Sequence, residues 1–221
     1  MQAVSVRLLV RPALVVLAVL VLSGCAADSW SAPHPAPTAI GALRPGFEPA
    51  TAPSPEATIE PAPGSWDQVH PSADFRVALV SGGDDEATAE LVSAVREWAG
   101  EEHVDLRAIV AAADPIPSIV AAMDMHPDLI VTAGNDLIDA LAAVTPNHLE
   151  QQFLVVGAEL AEPTYNVTAV DWAGASFRGE GLEASSEFDA ASFTAERCAR
   201  AVRAGVAAVL HDLTGIVVWI D

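Results

Sequence analysis

Residues 75–101 read FRVALVSGGDDEATAELVSAVREWAGE. The opening FRVALVSG is apolar without a polar alternation, the pattern of a short strand buried on both faces. The segment after it, DEATAELVSAVREWAGE, brings Leu91, Val92, Val95 and Trp98 onto one helical face. A doubly buried strand followed closely by an amphipathic helix is half of a βαβ unit. It predicts a parallel sheet covered by helices on both sides.

The same alternation continues outward. VDLRAIVA is a second strand, and IPSIVAAMDMH a short helix with Ile116, Ile119, Val120 and Met123 at helical spacing. DLIVTAG is a third strand, followed by a helix from Asp136 with Leu137, Ile138 and Leu141 inward; QFLVVGA and NVTAVDW are the fourth and fifth strands. The expected fold is α/β, a three-layer parallel sheet forming one lobe, over residues 74–221. Right-handed crossovers give it a flavodoxin-like strand order 2-1-3-4-5. After Trp172 the alternation weakens, with a helical stretch expected around Phe177 to Leu182. A strong amphipathic helix follows from Thr194 to Leu213, capped by Thr194, and TGIVVWI ends as a strand.

Upstream, Arg7 and Arg11 precede an apolar run from Ala13 to Leu22, then Leu22-Ser23-Gly24-Cys25. This is the layout of a secretory signal. Ten apolar residues make a helix of ~15 Å, half of a ~30 Å hydrocarbon layer. L-S-G-C resembles the lipobox of bacterial lipoproteins, which implies that residues 1–24 are removed and Cys25 is acylated. The protein is then expected on the extracytoplasmic face of the cell membrane. Residues 25–73 are rich in proline, alanine, serine and threonine, without helical or strand period, and read as a disordered stalk. Trp66 and Val69 at its end are placed to pack on the domain.

The chain has no lysine and a formal charge of −20. Removing residues 1–24 takes away two arginines and no acid, leaving 8 arginines against 30 acids, a charge of −22. Such a surface excludes nucleic acid as a partner. With Cys25 acylated, Cys198 is the remaining thiol, and its place among Val202, Val206 and Val209 on one helix face marks it as buried and inert. The six histidines lack metal-ligand spacing, and Ser81 and Ser176 lack a G-x-S-x-G setting, so neither a metal site, a cofactor nor an enzyme is expected. Asn166-Val167-Thr168 matches a glycosylation sequon, accidental behind a lipobox.

In sheets of this kind ligands bind beyond the carboxyl ends of the strands. The candidate ligand-binding residues are therefore Ser81, Gly82, Gly83, Asp84 and Asp85 after the first strand, Asn135 and Asp136 after the third, and Asp171 after the fifth. Two glycines allow close backbone approach, and the opening amides of the next helix can meet polar groups. The same stretch also reads as a tight turn with an acidic helix cap.

HPDLIVTAGNDLIDAL, QQFLVVGAEL and NVTAVDWAGASFRGEG resemble the third, fourth and fifth strand segments of the basic membrane protein family. The family comprises lipid-anchored, periplasmic-binding-protein-like receptors of ABC importers, several of which bind purine nucleosides. The resemblance spans residues 75–185 and implies a small-molecule ligand and a permease partner. It departs where the family carries an aspartate, then a phenylalanine and asparagine, after strand one, and an aromatic after strand three. Here stand Ser81, Ala87 and Thr88, and Asn135. The rim is thus expected to lack rings. Few residues follow the fifth strand, so one lobe offers half a cleft and a partner supplies the rest. Two readings stand: a solute receptor with a reduced fold, and a single-lobe envelope lipoprotein acting as a protein-interaction or regulatory module.

Overall fold

The computed structural model describes Trp30, residues 32–184 and residues 186–221. Cys25 and the expected signal segment, residues 1–24, lie outside them. Three two-residue strands come first: β1 (Ala39–Ile40), β2 (Thr58–Ile59) and β3 (His70–Pro71). Then follow β4 (Arg76–Ser81), α1 (Glu86–Glu101), β5 (Asp105–Val110), α2 (Ile116–Asp124), β6 (Leu129–Ala133) and α3 (Ile138–Val144). The chain ends with β7 (Phe153–Val156), β8 (Val167–Asp171), α4 (Ala195–Leu210) and β9 (Val217–Trp219).

The main sheet has the order β2-β9-β8-β7-β6-β4-β5, with every pair parallel. The five expected strands occupy it in the expected order. Alternate residues of β4 face opposite layers: Val77 and Leu79 join α1 and α4, whereas Ala78 and Val80 join α2 and α3. Asp85 caps α1, accepting from the Thr88 amide at 2.9 Å, and Thr194 caps α4, accepting from the Arg197 amide at 3.3 Å. Gly205 lets α4 settle onto the sheet, since a Cβ there would stand 2.5 Å from Leu154 Cδ1. Cys198 is fully buried on the same face, and burial pushes its thiol up to about 12.

Three expectations are corrected. β4–α1–β5 and β8–α4–β9 run toward opposite edges of the sheet with their helices on the same face, so the two crossovers have opposite hands. The second includes the long excursion of residues 172–194, which carries the chain to the far face before the helix begins. Residues 177–182 form turns, not a helix, with Gly179 and Gly181 at φ 124° and 74° interrupting the backbone.

The third correction concerns the stalk, which over its described part is a strap laid along the domain. Phe47, Ile59 and Trp66 are buried, with the Phe47 and Trp66 rings edge to face at 6.1 Å. β2 extends the sheet beside β9, and β1 and β3 pair as a separate antiparallel ribbon. At the strap's start, the Trp30 indole N–H donates to Asp105 Oδ2 at 2.6 Å, and the Arg107 guanidinium lies 4.1 Å from its ring centroid. Arg76 donates to the carbonyls of Trp30 and Ala32, and His34 Nε2 meets Asp128 Oδ1 at 2.8 Å. Proline density sets backbone stiffness but does not prevent single apolar side chains from burying, each worth roughly 1.5–3 kcal/mol.

Candidate functional site

β5 and β6 flank β4 on opposite sides, and the chain leaves β4 and β6 toward opposite faces of the sheet. Between the diverging loops a crevice opens, the place where such sheets bind ligands. Its volume is about 770 Å³, and Gly82, Gly83, Asp84, Asn135, Asp136 and Phe177 line it. The turns of β4 and β6 are locked together at its floor. The Gly82 amide donates to the Ala133 carbonyl at 2.9 Å, and Gly134, at φ 109°, lies so close that a Cβ would stand 1.8 Å from the Gly82 oxygen. Glycine is required there both for its backbone angle and for space.

Asp84, Asp136, Asp139 and Glu180 put carboxylates on the crevice, and none of its lining residues is cationic. Asp139 also ties down the excursion after β8, accepting from the Glu180 amide at 3.2 Å. Beside the same Asn135–Asp136 ridge, toward α1, a depression of about 230 Å³ is lined by Asp85, Thr88, Phe188 and Phe193. Phe193 packs on Trp172 at 4.9 Å and on Phe188 at 5.7 Å. Phe188 is half exposed. For Asp85, burial opposes ionisation, but hydrogen bonds from the Thr88 amide and hydroxyl, at 2.9 and 2.7 Å, outweigh it and hold the carboxyl below the usual carboxylate range.

Of the residues expected to bind ligand, Gly82, Gly83, Asp84, Asn135 and Asp136 come together on the crevice. Asp85 faces the smaller depression and acts as the cap of α1. Ser81 is buried in the ladder, its carbonyl accepting from the Ala111 amide at 2.8 Å, and does not line the crevice. Asp171 is not a rim residue either. Fully buried, it pins the turn after β8, its Oδ1 accepting from the Trp172 and Ser176 amides at 2.8 Å each.

The ring-free rim is overturned as well, since Phe177 lines the crevice and Phe188 and Phe193 its neighbour. These rings come from the irregular segment after β8, where the sequence has no period to place them. The buried Asn166 donates through Nδ2 to the carbonyls of Thr145, His148 and Gln151, which gives the sequon asparagine a structural role. Among the described residues no group of three or more His, Cys, Asp or Glu side chains is placed to hold a metal ion.

No family model matches the sequence, and no curated protein matches it. Among solved structures the chain is similar to an ABC transporter system solute-binding protein from Aeropyrum pernix K1, at 21% identity and a TM-score of 0.39 over 45% of this chain and 29% of that one. It is similar to a solute-binding protein of an ABC transporter system from Conexibacter woesei DSM 14684, at 20% identity and 0.37 over 44% and 35%. A fragment of a candidate lipoprotein from Peptoclostridium difficile 630 is similar at 14% identity and 0.44 over 62% and 98%. The chain spans about a third of the length of the two solute-binding proteins.

Proposed function

We propose that this chain is a solute-recognition module anchored through lipid on Cys25 outside the cytoplasm, its ligand seated in the crevice between Gly82–Asp84 and Asn135–Asp136. The observation that carries the reading is the crevice itself, a concave site at the switch point of a parallel sheet with glycine backbone at its floor. The uncompensated carboxylates select against anionic solutes and admit neutral or cationic ones. The family resemblance makes a purine nucleoside the first solute to try, and Phe177 offers the ring on which a base would stack. The described lobe covers only one side of a ligand, so full enclosure requires an opposing surface from outside it.

Calorimetry with purine nucleosides tests this. For the described lobe by itself, with one ring, the expected dissociation constant is about 0.1 mM or weaker. Phe177→Ala should weaken binding roughly fivefold to a hundredfold, because a base stacked on a ring contributes ~1–3 kcal/mol. Equal affinity of variant and wild type would remove Phe177 from the site, and no heat with any purine nucleoside would remove the solute class. The second reading, a protein-interaction module, is favoured by Val110 and Leu182, which are 76% and 54% exposed beside the crevice mouth. A partner that covers these side chains and needs no solute would establish it.

A further inference from the structure

We infer that the pole of the sheet where the strands begin faces the membrane, and that the crevice at the opposite pole opens away from it. The inference rests on the anchoring at Cys25 proposed above. Cys25 and Trp30 are five residues apart in sequence, which span at most about 18 Å when fully extended. Trp30 is 2% exposed and held at the starts of the strands: its indole on Asp105, its carbonyl on Arg76, with His34 on Asp128 beyond. A lipid on Cys25 therefore holds the body by this pole on a short leash, not at the end of a long stalk.

Charge points the same way. All six histidines lie at this pole. His34 and His70 meet Asp128 and Glu102 at 2.8 Å each, and His103, His126, His148 and His211 stand in the turns leading into β5, β6, β7 and β9. Of the carboxylates there, Glu102 is engaged by His70 and Arg203, Asp105 by Trp30 and Asp128 by His34, while Asp74, Asp124, Glu150 and Asp212 are exposed. The crevice pole presents more of them, among them Asp84, Asp136, Glu180, Glu183 and Glu187, all exposed, while Arg178 is paired with Glu159 at 3.0 Å and Arg197 donates to the Ser192 carbonyl at 3.0 Å. An anionic leaflet repels the second pole more than the first. A solute or partner then reaches the crevice from the side facing away from the membrane.

The test couples the chain from Cys25 onward, through that thiol, to a maleimide lipid in a phosphatidylcholine–phosphatidylglycerol nanodisc containing a gadolinium headgroup lipid. Chemical coupling keeps the orientation separate from whether cells acylate Cys25. Methyl signals of Leu149 and Leu213, at the histidine pole, should be lost, and those of Val110 and Leu182, at the crevice pole, retained. In a Trp30→Ala, His34→Ala double variant, with the pin removed, this contrast should shrink. Equal loss at both poles, or greater loss at Val110 and Leu182, would overturn the inference.

Discussion

Asp171 shows what a single residue's position leaves open. An aspartate at the carboxyl end of a strand reads as a ligand group, but whether its carboxyl faces solvent or folds back onto the following amides depends on the turn. Here Ser176 at φ 51° closes the turn, and Asp171 is sealed beneath it, with Oδ2 lacking a hydrogen-bond partner among the described residues. Burial raises its pKa from 3.8 to about 6 against the lowering by the Ser176 and Trp172 amides, and the charge of Glu159 adds to the rise. The folded pKa is above the unfolded one, so the native state keeps a proton that the unfolded chain releases. The stabilisation is complete below about pH 4 and is lost as pH rises to about 6, a change of roughly 3 kcal/mol. Asp171→Asn keeps the accepting oxygen and removes the titration. Thermal melts from pH 4 to 7 should show wild-type stability falling relative to the variant; parallel curves would mean that Asp171 does not carry this charge cost.

Elements were legible in proportion to their length and period. β4 through β8 and the long helices α1 and α4 carry apolar patterns that only one layer arrangement satisfies. The two-residue strands β1, β2 and β3 carry none, being placed by tertiary contacts from Phe47, Ile59 and Trp66. The hand of β8–α4–β9 depends on which face the irregular 172–194 excursion reaches, and no periodicity encodes that. If the strap is part of the fold, removing its largest buried side chain must weaken the whole domain. Trp66→Ala should cost roughly 3–5 kcal/mol in urea unfolding, as for other buried aromatics. A chain starting at Ser72 should melt well below one starting at Trp30. Unchanged stability in both would restore the stalk reading and leave the strap as a loosely held appendage.

For the whole molecule, charge and anchoring form one argument. A chain with 30 acids, 10 arginines and no lysine has no electrostatic affinity for anionic lipid, and no helix among the described residues is long and apolar enough to cross a membrane. The lipid anchor proposed at Cys25, in the L-S-G-C of residues 22–25, would be a covalent route to the membrane. Each buried CH₂ of an acyl chain contributes ~0.8 kcal/mol, and more than one chain is needed for stable anchoring, which a diacylated cysteine provides. Cells fed a fatty-acid analogue should incorporate it into the wild type and not into Cys25→Ser. The variant should leave the membrane fraction even at low salt, where a basic protein would stay bound. Equal incorporation in the two would sink the lipid anchor. Membrane retention of an unlabelled Cys25→Ser chain would mean that residues 1–24 themselves hold the protein, as an uncleaved signal segment would, and the short leash to Trp30 would then begin at a different point.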